Sequence, residues 1–285
     1  MWKNSVKTVF LLTLVAVLFI SVGGLLGGET GMIIAFCLAL GMNFFSYWYS
    51  DKLVLKMYKA KEVNRENAPG FYRMIEDLAQ RAEVPMPRVY IIPQSQPNAF
   101  ATGRNPQHAA VAATQGILQT LSEDELRGVM AHEFAHIKNR DILTQSIVAT
   151  VVSAITMLTY MAMFFRGGRD SGANPFVLIL TLILAPLAAA MLQSAISRTR
   201  EFEADRVGGE ICGRPESLAN ALKKIQAAAT RSPMEAAESK QQATAHMFAV
   251  NPFSARGMSK MFSTHPDTAL RIEKLMEMQR SGVYK

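Results

Sequence analysis

Cysteine is nearly absent from this chain. Cys37 and Cys212 are the only two among 285 residues, and neither has a second cysteine or a histidine nearby at metal-ligand spacing. That excludes a disulfide framework and a cysteine-based zinc module, and two free thiols suit a reducing compartment. No basic-aromatic module or recognition motif accompanies the net charge of +7, so the charge does not point to nucleic acid. Charge itself is missing from four long runs: Val9 to Leu26, Met32 to Tyr49, Leu143 to Phe165 and Phe176 to Ile196.

Each run is close to the length a helix needs to cross a bilayer. A buried core helix of a soluble protein would explain one such run but hardly four. The first run follows Lys3 and Lys7, as in a cleaved signal peptide. It is long, however, and a second run follows almost at once, which favours a retained hairpin. The turn between them, Gly27 to Gly31, has no basic residue, whereas Lys52, Lys56, Lys59, Lys61 and Arg65 follow the second run. Arg198, Arg200 and Arg206 follow the fourth, and only Arg166 and Arg169 dissent. Basic residues mark the cytoplasmic side, so the N-terminus and both polar regions are expected there, where they also meet anionic headgroups. The expected organisation is a hairpin over 1–50, a polar part over 51–142, a second hairpin over 143–196 and a second polar part over 197–285.

What is present, and carries chemistry, is His132-Glu133-Phe134-Ala135-His136. Residues four apart share a helix face, so both imidazoles can point at one metal while Glu133 reaches a water beside it. Two neutral nitrogens, a carboxylate base and an open position are the parts of a zinc hydrolase. Ser122-Glu123-Asp124-Glu125 offers a helix cap, and Leu126, Val129, Met130 and Phe134 recur at helical spacing. The plain alternative is a buried histidine pair without metal. Arg200-Glu201-Phe202-Glu203-Ala204-Asp205 directly follows the fourth run and continues it as helix. Glu201 and Asp205 share a face: one can ligate, the other can accept a hydrogen bond from a ligating imidazole. Taken alone, the cluster reads as a solvated face. Because the HExxH motif enters the second hairpin and this cluster leaves it, both meet at one membrane face.

Strands are expected at Arg88 to Ile92, Asn98 to Gly103 and Ala109 to Thr114. A small sheet beside the active-site helix would offer an edge to an extended peptide, or serve only as structure. His108 and His246 carry no motif and read as ordinary polar residues. Thr230 to Met261 reads as an insertion, either a lid or a plain loop.

Two apolar runs, Pro97-Asn98-Ala99-Phe100-Ala101, the HExxH motif, a second apolar pair, Glu201-Phe202-Glu203-Ala204-Asp205 and Ser263-Thr264-His265-Pro266 occur in this order. This order resembles the HtpX membrane metalloprotease family, relatives of the CAAX prenyl proteases, over nearly the whole chain. The resemblance implies an α-helical integral membrane protein with four transmembrane helices and an α+β gluzincin-type zinc metalloprotease domain. It implies a multi-pass endopeptidase of the bacterial inner membrane, with its protease domain in the cytoplasm, acting in membrane protein quality control and stress response. It also implies one zinc ion held by His132, His136 and Glu201, with Glu133 as base and Asp205 supporting the ligands. Asn98 would lie near substrate as an oxyanion donor and His265 would act as an electrophilic partner. Arg271 would anchor the same region. Substrates would be membrane proteins or unfolded polypeptides. His265-Pro266 could instead start the final helix and Asn98 hold a turn. The competing functions are a CAAX-type prenyl protease, which usually has more spans, and a non-catalytic membrane adaptor or chaperone, which has no need of Glu133.

Overall fold

The structure, a computed structural model, describes residues 2–148, 198–231 and 267–282. The first element, α1 (Trp2–Met57), is helical throughout, yet it folds back on itself. Asn43 Nδ2 donates to Leu12 O at 3.1 Å across 31 residues, which a straight helix would hold about 46 Å apart. The reversal falls at Gly28, whose φ of 58° is left-handed and natural to glycine. The element is therefore one kinked helix that doubles back at this glycine. Its second half, Gly28–Met57, is the one helix among the described residues long and apolar enough to cross a membrane. Phe36, Leu38, Leu40 and Phe44 on it are exposed, a surface that fits lipid rather than water. Trp48 and Tyr49 then give way to Lys52 and Lys56, the aromatic-then-basic sequence of a membrane boundary. The apolar run from Phe176 to Ile196 and that from Leu143 to Phe165 beyond residue 148 lie outside the described residues.

Four strands follow: β1 (Lys61–Val63), β2 (Arg88–Ile92), β3 (Ala99–Gly103) and β4 (Ala109–Thr114), in the order β1-β2-β4-β3. β2 and β4 are parallel, and the two outer pairs are antiparallel. The alternation of period two sorts their side chains to two faces. Val89, Ala99, Ala101, Val111 and Ala113 face the main core, which includes Ile75 and Leu78 of α2 (Pro69–Ala82) and Met130 and Phe134. Tyr90, Ile92, Phe100, Ala110 and Ala112 face Val54, Leu55 and Tyr58, so the base of α1 covers the opposite face. Arg88 Nη2 donates to Asp51 Oδ2 at 2.6 Å and ties that base to the sheet. The long apolar helix and the sheet thus form one packed unit.

After α3 (Gln115–Thr120), helix α4 (Glu123–Lys138) passes through the middle of the fold. Ser122 and Glu125 form a reciprocal capping box at its start, satisfying donors that a helix end leaves open. Leu126, Gly128–Ile137 are all buried. A short helix, α5, covers 142–148. Helices α6 (Arg198–Cys212), α7 (Pro215–Arg231) and α8 (Thr268–Ser281) complete the described fold, with α4 packed on α6, α7, α2 and β3. Gly208 of α6 lets the two backbones meet: a Cβ there would lie 2.8 Å from His132 Cα.

Candidate metal centre

α4 presents His132 and His136 one turn apart, with their rings nearly perpendicular at 88° and centroids 4.8 Å apart. Their Nε2 atoms lie 3.2 Å from each other. α6 brings Glu201 to the same point, with Oε2 3.7 Å from His132 Nε2 and Oε1 3.6 Å from His136 Nε2. All three side chains are buried, and their donor atoms lie within 4.8 Å of one another.

The rear nitrogen of each ring also faces a carboxylate. Asp205 Oδ1 is 3.0 Å from His132 Nδ1, and Asp141 Oδ2 is 3.2 Å from His136 Nδ1. Arg271, reaching in from α8, donates through Nε to Asp205 Oδ2 at 2.8 Å and through Nη2 to Oδ1 at 2.7 Å. Its Nη1 lies 3.8 Å from Glu201 Oε2. Burial works against a charged Asp205, but the charge and hydrogen bonds of Arg271 and His132 prevail and hold its carboxyl below the usual aspartate value. Burial likewise opposes the Arg271 charge, and Asp205, Glu201 and Glu133 more than offset it, so its pKa is raised.

Glu133 sits on the flank, where its Oε2 accepts the Ala101 N–H at 2.9 Å. Burial pushes its carboxyl up, and Glu201 adds to this, against the pull of both histidines and of the Ala101 amide. Ala101 belongs to β3, an edge strand of the sheet, and its amide is directed to Glu133 rather than to β4. The next outward amide, Gly103, lies 3.4 Å from Ser146 Oγ, which also meets Thr102 Oγ1 at 2.7 Å. The edge of β3 lies beside α4, but two of its outward N–H groups already have side-chain partners.

The structure thus brings together His132, Glu133, His136, Glu201, Asp205 and Arg271. Asn98, just before β3, is buried, and its backbone exchanges bonds with Thr114. Its Oδ1 has no hydrogen-bond partner among the described residues. His265, His246 and the run from 232 to 261 lie outside the described residues. Asp141 and Arg200 are the additions: Arg200 Nη1 approaches Asp141 Oδ1 at 3.8 Å. Only the placement of Asp141, five residues past His136 and at the close of α4, hints at this contact in the sequence.

The sequence model of Peptidase family M48 matches residues 66–279. A protease HtpX homolog of Burkholderia thailandensis is 58% identical over 281 residues, 98% of each chain. One from Ralstonia pickettii is 58% identical over 284 residues, 99% of each chain. The crystal structure of S. mikatae Ste24p superposes with a TM-score of 0.52 at 20% identity, covering 96% of this chain and 67% of that one, which is a likeness of fold. The chain belongs to peptidase family M48 and is a membrane metalloprotease.

Proposed function

We propose that the protein is a zinc-dependent endopeptidase of the bacterial inner membrane, acting on membrane proteins and unfolded polypeptides in quality control under stress. In this reading it crosses the bilayer four times, through the hairpins over 1–50 and 143–196. The halves at 51–142 and 197–285 form the protease domain on the cytoplasmic side. The observation that carries the reading is the buried convergence of His132, His136 and Glu201 on one point.

The donor set fits a divalent cation. Glu133, Glu201, Asp205 and Asp141 are buried together, and Arg271 and Arg200 are the guanidinium groups placed against them. With neutral imidazoles, the four carboxylates outnumber these two guanidinium groups among the described residues, and burying net charge is costly. A bound dication would offset the excess. Two imidazole nitrogens and a carboxylate suit zinc better than magnesium or calcium, which prefer all-oxygen shells. When bound, zinc supplies Lewis acidity that activates water and polarises a carbonyl.

The protein's own residues do the rest. Glu133 takes a proton from the attacking water and returns it to the leaving amine. Asp205, steadied by Arg271, accepts the Nδ1 proton of His132 and leaves Nε2 free to ligate. Asn98, whose Oδ1 has no hydrogen-bond partner among the described residues, is a polar contact for the substrate backbone: Oδ1 accepts a substrate N–H, whereas an oxyanion would take the N–H of Nδ2. His265 is the electrophilic partner in this reading. A substrate strand that adds to the edge of β3 must displace the Glu133 and Ser146 partners of the Ala101 and Gly103 amides, and main-chain pairing then holds it with little sequence preference.

The test is proteolysis of an unfolded polypeptide and of a membrane protein reporter by the full chain in detergent, with zinc, beside Glu133→Ala. Cleavage by the wild type alone is expected. Equal cleavage by both, or by neither with zinc bound, would overturn the reading.

A further inference from the structure

The end of α4 is built in an unusual way. Arg140 N–H donates to Ile137 O at 3.1 Å, and Asp141 N–H donates to His136 O at 2.9 Å. These paired bonds close a helix by reversing the chain over its last turn. The residue at the reversal is Arg140 with φ 59°, a left-handed position usually filled by glycine. The reversal places the Asp141 side chain against the residue that its own amide grips. Its Oδ2 lies 3.2 Å from His136 Nδ1, its Oδ1 lies 3.8 Å from Arg200 Nη1, and the residue is 1% exposed.

The other imidazole is treated in the same way from a different part of the chain. His132 Nδ1 faces Asp205, and Asp205 faces Arg271. The centre therefore contains two histidine–aspartate–arginine chains, one on each imidazole. A carboxylate behind a ligating histidine fixes its tautomer and its ring angle and makes the front nitrogen a better donor. Asp205 came from the charged cluster around Glu201. Asp141 comes from the turn that joins α4 to α5, where Gln145 N–H donates to its carbonyl at 3.3 Å.

We propose that Asp141 is a positioning residue that holds His136, through its Nδ1, in the orientation needed to ligate the metal. The proposal rests on the metal-centre reading above. It goes beyond that reading because Asp141 lies in neither the HExxH motif nor the Glu201 cluster. Ending a helix would need only the Asp141 backbone, whereas orienting the ring needs its carboxylate.

The experiment uses full-length wild type, Asp141→Asn, Asp141→Ala and Glu201→Ala, purified in detergent and stripped of metal. Zinc affinity is measured against a competing chelator, cobalt(II)-loaded samples give visible spectra, and metal-free samples are melted. Zinc binding about 10–100-fold weaker in Asp141→Ala, a smaller loss in Asp141→Asn (which keeps an acceptor oxygen) and a shifted cobalt spectrum are expected. Wild-type affinity and spectrum in both Asp141 variants would overturn the proposal, even if the metal-free melting temperature falls, because that pattern belongs to a residue that only ends the helix. If Asp141→Ala does not fold, Asp141→Asn decides alone: a wild-type affinity and spectrum overturn the proposal. If the wild type binds zinc and Glu201→Ala does not, an unaffected Asp141 pair refutes this inference only. A wild type that binds no zinc refutes the metal-centre reading and this inference with it.

Discussion

Arg271 and Asp205 meet in a two-point contact, Nε to Oδ2 at 2.8 Å and Nη2 to Oδ1 at 2.7 Å, with both side chains buried. The contact joins the last described helix, α8, to the side chain that backs His132. It makes the far end of the chain part of the centre. Removing one partner of a buried pair leaves the other charge stranded, at a cost of about 3–5 kcal/mol. Arg271→Met should therefore lower the melting temperature sharply and weaken zinc binding. Arg271→Lys keeps the charge but not the planar fork, and should lose less. Thermal melts and chelator titrations of the two variants check this. An unchanged Arg271→Met protein would mean that the contact does not matter.

The neighbouring glycines of α6 should respond differently to the same substitution. At Gly208 a Cβ would stand 2.8 Å from His132 Cα, which is backbone and cannot step aside. At Gly209 it would meet the flexible end of Met278, Sδ at 3.1 Å, and the ring atom Pro215 Cγ at 3.2 Å, contacts relieved by a shift of a few tenths of an ångström rather than by moving backbone. Gly208→Ala should destabilise by about 1–3 kcal/mol and reduce zinc affinity by prising Glu201 away from the histidines. Gly209→Ala should stay close to wild type. Equal effects of the two substitutions would show that the α4–α6 approach does not set the centre's geometry.

The metal-free centre should bind zinc in a pH-dependent way. Burial alone pushes the His136 imidazole down, but the Asp141 hydrogen bond and the Glu201, Glu133 and Asp141 charges outweigh it and place its pKa at about 9. Zinc requires the neutral ring, so binding below that value expels a proton. Apparent affinity should then rise about tenfold per pH unit toward pH 9 and level off above it. The same raised value stabilises the metal-free fold in full below the ring's ordinary 6.5, and this contribution is lost as pH climbs through about 9. Affinity should therefore rise while the metal-free melting temperature falls. A zinc affinity that is flat from pH 6 to 9 would contradict the assignment.

Much of the centre is legible in the sequence because its parts are local. His132 and His136 sit at helical spacing, and Glu201 and Asp205 repeat that spacing. Gly28 lies in the break between two uncharged runs. The sheet is harder to read. In β4 the stretch Ala109-Ala110-Val111-Ala112-Ala113 is apolar on both faces, because helices α2 and α4 cover one and α1 the other. No alternation survives to reveal which residue faces which layer. Nothing in Lys61-Glu62-Val63 marks a strand, and the order β1-β2-β4-β3 depends on tertiary packing. Asp141 is hidden by Arg140: a glycine at the left-handed position would have announced the reversal, whereas an arginine does not.

The most direct measurement is metal content and self-cleavage in one set of detergent-purified, zinc-reloaded samples: wild type, Glu133→Gln and Glu201→Ala. The account predicts about one zinc per chain in the first two and little in the third, since the three buried side chains could together hold one ion. Fragments should come from the wild type alone. Zinc retained at full level by Glu201→Ala, or fragments from Glu133→Gln, would contradict it.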